Sequence, residues 1–113
     1  MKPAIELSHG TVVWADLDPV VGREQSGRRP VLVAASDGYL ATVDSLAIVV
    51  PLTTVDRGWP NHIRVEGPTG LDRPTWAMTE QPRTISRTRI SRVSGVAGCS
   101  TMSDVRKWLR DFL

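Results

Sequence analysis

The sequence predicts a mainly β fold with one helix (α+β): a small, mostly antiparallel barrel or curled sheet closed by a C-terminal amphipathic helix. Three observations predict it. Short β-branched runs recur through residues 11–79, turn-forming Gly, Pro and Asp residues separate them, and only the end of the chain changes to helical spacing. With 113 residues the chain suits one modest core, so we expect a single domain over residues 1–113.

The first two strands are expected to form a hairpin with a long loop. Thr11–Leu17 and Pro30–Ala35 are the β-branched runs, and residues 1–9 before them are expected to be a flexible tail. The loop between the runs carries far more cations than a turn needs: Arg23, Arg28 and Arg29. Its glycines suit a loop that moves.

The middle of the chain holds the most apolar segment. Ser36–Asp44 precedes it and is expected to be a loop, because Asp37-Gly38 is a turn signal. Leu46–Leu52 is continuously hydrophobic, which predicts a strand covered on both faces. Because proline cannot donate to a ladder, Pro51 is expected to mark a strand end or a bulge, with the Thr53-Thr54 pair lifted out of regular pairing.

Two further short strands and a terminal helix complete the predicted fold. The strands are Ile63–Val65 and Pro74–Thr79, each flanked by turn residues. Thr101 and Asp104 offer an S/T-x-x-D/E start for the helix. Its apolar stripe follows at helical spacing: Met102, Val105, Trp108, Leu109, Phe112 and Leu113.

Arginine carries almost all of the positive charge. The 14 cations exceed the 12 carboxylates by two, and only Lys2 and Lys107 among them are lysine. A planar, permanently charged guanidinium suits phosphate oxygens, so the bias favours anion recognition, although a GC-rich genome gives the same bias. The arginines of the opening loop and a second cluster late in the chain are candidates for one shared groove. The late cluster consists of Arg83, Arg87, Arg89 and Arg92.

Several classes of protein are disfavoured. No apolar run approaches the roughly 20 residues that a membrane span needs, and residues 1–10 lack the apolar segment of a secretory signal. A lone Cys99 cannot form an internal disulfide and is assigned no role. We therefore expect a cytoplasmic protein without a membrane partner.

Four blocks of residues resemble one known family in both order and spacing. The blocks are Gly10-x-Val12-Val13-Trp14-x-Asp16-Leu17-x-Pro19 with Gly22-x-Glu24-Gln25-x-Gly27-x-Arg29-Pro30, Val50-Pro51-Leu52-Thr53-Thr54, Gly58-x-Pro60, and Glu80-Gln81-x-Arg83-Thr84-Ile85. Together they are similar to the MazF/PemK (Kid) family of toxin–antitoxin ribonucleases. The resemblance covers nearly the whole chain from Gly10 onward.

This resemblance implies a fold, an activity and partners. The fold is an SH3-like barrel with a C-terminal helix, and the assembly is a homodimer. The activity is cleavage of single-stranded RNA at short sequence motifs, with no metal and no cofactor, which inhibits translation and growth. A cognate MazE-like antitoxin neutralises the toxin, and we expect the segment that binds it to be disordered when free.

The resemblance also implies which residues act on RNA. RNA carries its own nucleophile, the 2′-hydroxyl, so cleavage needs a base, an acid and cations against the charge on phosphorus. Arg29 and Thr53 align with the catalytic arginine and threonine, and Glu24 has the natural pKa for a base. Further residues are expected to contact phosphates or unpaired bases: Arg23, Gln25, Arg28, Gln81, Arg83 and Arg87. Apart from what the resemblance implies, Trp59 lies in a turn and is a candidate for stacking a base or for covering the barrel, and His62 beside it could reach a base or cap the strand edge.

Structural roles and other functions remain alternatives. Arg29 could pair with Asp16, Asp18 or Glu24 to hold the loop, and Thr53 could simply end a strand. A related CcdB-like toxin fold poisons DNA gyrase through protein contact and would need no catalytic arginine. A noncatalytic barrel that binds RNA or a protein is the third possibility.

Overall fold

A computed structural model describes residues 5–17 and 27–113 of the chain. The elements are the strands β1 (Thr11–Asp16), β2 (Arg28–Val33), β3 (Leu46–Thr53), β4 (His62–Arg64), β5 (Trp76–Met78), β6 (Arg83–Ser86) and β7 (Ile90–Val96), and the helices α1 (Asp37–Thr42) and α2 (Cys99–Phe112). A 3₁₀ turn, Arg87–Arg89, joins β6 to β7. Every strand pair is antiparallel, in the order β4-β5-β3-β2-β1-β7, with β6 also paired to β3. The mainly antiparallel fold with a C-terminal helix is confirmed.

The sheet is apolar on both faces, which explains why its central strands are continuously hydrophobic. On one face Val31 and Val49 pack with Leu40 of α1 and Ile85 of β6. On the other face, Met102 and Val105 of α2 pack against a second set of sheet residues: Val12, Leu32, Val50 and Leu52. The two-sided burial expected of β3 is confirmed, and burial of these side chains supplies the main stabilising free energy of the domain.

Proline does not end β3. Pro51 is paired with Val31, and the strand continues to Thr53, which is paired with Trp76 of β5. The ladder to β6 stops at Val49 and the ladder to β5 starts at Leu52. Pro51 therefore lies where the neighbouring strand changes. The expectation that the Thr53-Thr54 pair leaves regular pairing was wrong for Thr53, whereas Thr54 lies beyond the end of β3.

A short helix replaces the expected loop over residues 36–44. Ser36 is its N-cap, and the Ser36 hydroxyl accepts a 3.0 Å hydrogen bond from the backbone N–H of Tyr39. Leu40 is buried against the first face of the sheet. The serine cap and this apolar contact prevail over the Asp37-Gly38 turn signal.

Residues 5–9, expected to belong to a flexible tail, pack onto the domain. Ile5 and Leu7 lie against the core. Arg106 of α2 donates a 2.9 Å hydrogen bond to Nε2 of His9, so Nδ1 carries the ring hydrogen and donates to the Ala34 and Ala35 carbonyls at 3.2 Å. His9 thus connects the start of the chain to α2.

The terminal helix begins earlier than its sequence signal indicates. Its N-cap is Gly98, which has no side chain to accept a cap bond. Thr101 is buried inside the first turn, where its hydroxyl accepts from the backbone N–H of Glu66 at 3.1 Å. Only the first half of the apolar stripe is buried: Trp108 is half-buried and Phe112 is exposed. Within the part of the chain that the structure describes, no helix is long and apolar enough to span a bilayer.

Candidate functional site: an arginine-lined cavity

A cavity of about 750 Å³ opens where the first residues of β2 meet the last residues of β3. Its described lining comprises Leu17, Arg29, Pro30, Pro51, Leu52, Thr53, Thr54, Val55, Arg57, Thr75, Met78, Gln81, Pro82 and Arg83. This lining contains three guanidinium groups and, among residues 5–17 and 27–113, no carboxylate. Such a site favours an anion.

Strand register brings Arg29 and Thr53 together. In the β2–β3 ladder Val33 is paired with Val49 and Val31 with Pro51. Continuing this register by two residues sets Arg29 opposite Thr53, and directly opposed residues on neighbouring strands share a face of the sheet. Two residues that are 24 positions apart in sequence therefore present a cation and a hydroxyl to one cavity.

The Arg29 guanidinium is exposed and available to a ligand. Within the described ranges no carboxylate forms an ion pair with it. Asp16, one of the structural partners considered above, is opposite Arg28 in the register, and Arg29 is opposite Ala15. Arg28 itself is exposed and lies outside the cavity lining.

The Thr53 hydroxyl is oriented by its own chain. The backbone N–H of Val55 donates to Thr53 Oγ1 at 3.1 Å. Because the oxygen already accepts this bond, its O–H hydrogen remains to be donated to a ligand oxygen. The half-buried position at the end of a strand limits the rotamers of the side chain.

Glu80 precedes the cavity-lining Gln81 and holds three neighbouring side chains. Its carboxylate lies 3.0 Å from His62 Nε2, 2.8 Å from Asn61 Nδ2 and 3.2 Å from Gln81 Nε2. Burial raises the pKa of this carboxyl, but its hydrogen bonds lower the pKa by more, and the bond from His62 has the largest effect among them. The pKa of Glu80 therefore lies below its ordinary value of 4.5. Glu80 is therefore ionised at neutral pH.

Two of the predicted RNA-binding residues line the cavity together with one that sequence reasoning missed. Gln81 and Arg83 are in the lining, and Arg83 Nη2 also donates to the Leu17 carbonyl at 3.0 Å. Arg57 was missed, although its place beside the Gly58-x-Pro60 block was a usable signal. Its guanidinium lies 6.0 Å from the ring centroid of Trp59, which is 49% exposed and stays a candidate for stacking a base.

The environment of His62 does not suit direct contact with RNA. The ring packs 4.8 Å from Trp59, its side chain is only 2% exposed, and Nε2 is directed at Glu80. Nδ1 is buried, and no described group hydrogen-bonds to it. Because a buried ring cannot reach a base, we do not retain His62 as an RNA-binding residue.

Arg87 binds the protein itself. Its guanidinium donates to the carbonyls of Leu46 at 3.0 Å, Leu40 at 2.6 Å and Val43 at 2.9 Å. The last two carbonyls end α1, where a cation is favoured by the helix dipole. The structure gives Arg87 a structural role because its guanidinium is bonded to these backbone carbonyls, and Arg87 is not among the cavity-lining residues. The loop residues Arg23, Glu24 and Gln25 lie outside the described residues.

Comparison with known proteins supplies the family. Residues 8–113 match the family described as PemK-like, MazF-like toxin of type II toxin–antitoxin systems. The chain belongs to this family. It is 33% identical over 87 residues to the endoribonuclease EndoA of Bacillus subtilis, covering 75% of each chain. It is 32% identical over 112 residues to endoribonuclease MazF6 of Mycobacterium tuberculosis, covering 95% of this chain and 96% of that protein.

The fold agrees with solved structures of the MazF-like family. A crystal structure of MazE–MazF from Deinococcus radiodurans superposes with a TM-score of 0.77 at 26% identity, covering 94% of both chains. A structure of MazF alone from the same organism gives a TM-score of 0.75 at 25% identity. The resemblance read from the four sequence blocks is thereby confirmed.

Proposed function

We propose that this MazF-like protein is the endoribonuclease toxin of a type II toxin–antitoxin system and that the Arg29–Thr53 cavity cleaves single-stranded RNA. The observation that supports this most is the pairing of an exposed guanidinium with an oriented hydroxyl in a cavity whose described lining has no carboxylate. The relatives in Bacillus subtilis and Mycobacterium tuberculosis are named endoribonucleases.

The proposed chemistry uses the nucleophile that RNA carries. The 2′-oxygen of one ribose attacks the adjacent phosphorus, and the bond from phosphorus to the 5′-oxygen breaks. The 2′ proton leaves to a base and the 5′-oxygen takes up a proton, which gives a 2′,3′-cyclic phosphate and a 5′-hydroxyl. No step of this transfer needs a metal, because cations of the protein can stabilise the charge on phosphorus.

Each residue has a distinct role in this proposal. Arg29 holds the phosphoryl oxygens as negative charge builds on them, and its high pKa makes it a better electrostatic group than a proton carrier. Thr53 donates its hydroxyl hydrogen to the same phosphate. We assign the base to Glu24 as a hypothesis, because a carboxylate has the pKa for that task. Arg57 and Arg83 extend the cationic lining along the RNA chain.

The partners follow from the family. The Deinococcus radiodurans structure is a MazE–MazF complex, so we propose that a MazE-like antitoxin neutralises this protein. We also propose a homodimer, and a cytoplasmic location where RNA is accessible. Gyrase poisoning would need no exposed arginine opposite a threonine, so the cavity favours the nuclease.

Incubation with a mixed single-stranded RNA in the presence of EDTA tests the proposal. The expected result is cleavage that leaves 2′,3′-cyclic phosphate and 5′-hydroxyl ends, with loss of cleavage in Arg29→Ala. Intact RNA together with inhibited gyrase would support the poison and overturn the nuclease. Ends that carry 5′-phosphate would overturn the proposed chemistry.

A further inference from the structure

The Glu80 carboxylate fixes the orientation of every group that contacts it. An ionised carboxylate only accepts hydrogen bonds, so the facing atoms of Asn61 and Gln81 must be amide nitrogens, and Nε2 of His62 must carry hydrogen. The contacts are 2.8 Å, 3.2 Å and 3.0 Å respectively. The side-chain amide of Gln81 therefore has one allowed orientation.

Both amide hydrogens of Gln81 are directed at the protein. Nε2 donates to Glu80 Oε2 at 3.2 Å and lies 3.7 Å from Met78 Sδ. The backbone N–H of Gln81 donates to the Met78 carbonyl at 3.0 Å, which holds the turn. Among the described residues none donates to Oε1, and the exposed Gln81 side chain lines the cavity. Gln81 therefore presents a hydrogen-bond acceptor, Oε1, to the cavity.

The turn that carries Gln81 is braced by the turn that carries Asn61. Buried Thr79 donates its hydroxyl hydrogen to the Asn61 carbonyl at 2.7 Å, and the Asn61 amide lies 3.3 Å from the same hydroxyl. His62, which is buried and packs against the Trp59 ring, donates a hydrogen bond to Glu80. This bracing keeps the carboxylate in place, which in turn prevents reversal of the Gln81 amide.

We propose that Gln81 Oε1 recognises the exocyclic amino group of one base of the RNA substrate, and that Glu80 is the positioning residue that keeps Gln81 an acceptor. The inference rests on the proposed function and deepens it. Adenine, cytosine and guanine each present an exocyclic amine, whereas uracil carries a carbonyl oxygen where cytosine has its amine and keeps only a ring N3–H as a donor. An acceptor placed against the amine would face that carbonyl oxygen, so we expect uracil to be disfavoured at one position of the cleavage motif.

Base analogues test the acceptor directly. The substrates are a cleaved RNA and its copies in which purine riboside replaces adenosine, inosine replaces guanosine, or zebularine replaces cytidine, one position at a time. At one position we expect loss of the amine to lower kcat/KM about tenfold or more for the wild type, and less than twofold for Gln81→Met. An equal loss in both proteins, or no loss at any position, overturns the inference.

Glu80→Gln tests the positioning role. A glutamine at position 80 can donate to Oε1 of Gln81, so the Gln81 amide can reverse and present N–H groups. We expect the preference at the amine-dependent position to fall several-fold and uracil to be accepted there, with the other positions of the motif unchanged. Asp104→Asn, which removes an exposed carboxylate of α2, is the matched control and should keep the motif. An unchanged motif in Glu80→Gln overturns the positioning role, whereas failure of the wild type to cleave any RNA overturns the proposed function itself.

Discussion

Truncation of Arg87 to alanine should destabilise the protein and leave its action on RNA intact. The guanidinium donates three hydrogen bonds to backbone carbonyls, two of them at the end of α1 and one at the start of β3. A hydrogen bond from a charged donor is worth about 1.5–3 kcal/mol, which sets an upper bound near 4.5–9 kcal/mol for three. Water can reach part of this half-buried site, and an ordered arginine loses about 2 kcal/mol of side-chain entropy. We therefore expect a loss of about 2–4 kcal/mol.

Urea unfolding followed by circular dichroism measures this loss, with thermal unfolding as a second readout. A change of this size lowers Tm by on the order of 10 °C in a domain of this length. The matched control is Arg89→Ala in the same 3₁₀ turn, since Arg89 donates one hydrogen bond, to the Asp16 carbonyl at 3.2 Å. We expect the control to lose less than about 1 kcal/mol.

One outcome would refute this reasoning. If Arg87→Ala unfolds within about 0.5 kcal/mol of the wild type but binds RNA much more weakly, the three carbonyl contacts are not what the side chain is for. Arg87 would then belong to the phosphate contacts, as its sequence position first indicated.

Three further predictions test the site and its frame. Thr53→Ser should keep most of the RNA cleavage rate, whereas Thr53→Val should lower that rate about 100-fold, because serine can still donate a hydroxyl hydrogen to the phosphate and valine cannot. Equal losses of rate in the two variants would contradict this. Gly70→Ala should cost about 2 kcal/mol or more in urea unfolding, since Gly70 has φ of +75° and a Cβ there would overlap the Ser94 carbonyl, whereas a Cβ at Gly38 would make only an ordinary van der Waals contact, 3.8 Å from Ser36 Oγ. Below pH 4.5 the free energy of unfolding should fall more steeply for the wild type than for Glu80→Gln. Folding lowers the pKa of Glu80, so the ionised carboxylate contributes its full stabilisation above the pKa of the unfolded state, and this contribution disappears as pH falls through the pKa of the folded state. Parallel acid unfolding curves would refute the last prediction.

The central strands could be predicted from the sequence, because burial on both faces makes them continuously apolar, whereas β6 (Arg83–Ser86) and β7 (Ile90–Val96) were not predicted. Half of the residues in Thr11–Asp16 and in Leu46–Thr53 are β-branched, and the core covers both faces of these strands. Strand ends were less predictable. Pro51 looks like a terminator in isolation, and only the exchange of β6 for β5 beside it makes a proline acceptable there.

The site was predictable in composition and not in geometry. The four sequence blocks identified Arg29 and Thr53, but only the structure shows that both line one cavity, where the register of β2 against β3, continued by two residues, brings them together. Arg87 could not be told from a phosphate-binding residue, since its partners Leu40 and Val43 lie more than 40 positions away. The role of Glu80 likewise depends on a contact with His62, 18 positions earlier, that no local pattern encodes.

A double-mutant cycle on RNA cleavage tests the central claim most directly, namely that Arg29 and Thr53 act on the same phosphate. Single-turnover rates are measured for the wild type, Arg29→Ala, Thr53→Val and the double variant, with each variant shown to be folded by circular dichroism. We expect each single change to slow cleavage by about 100-fold or more, and the double variant to be within about tenfold of the slower single variant, because groups that act as a unit are lost together. Rate losses that multiply in the double variant, or a single variant that cleaves at the wild-type rate, would contradict the shared site.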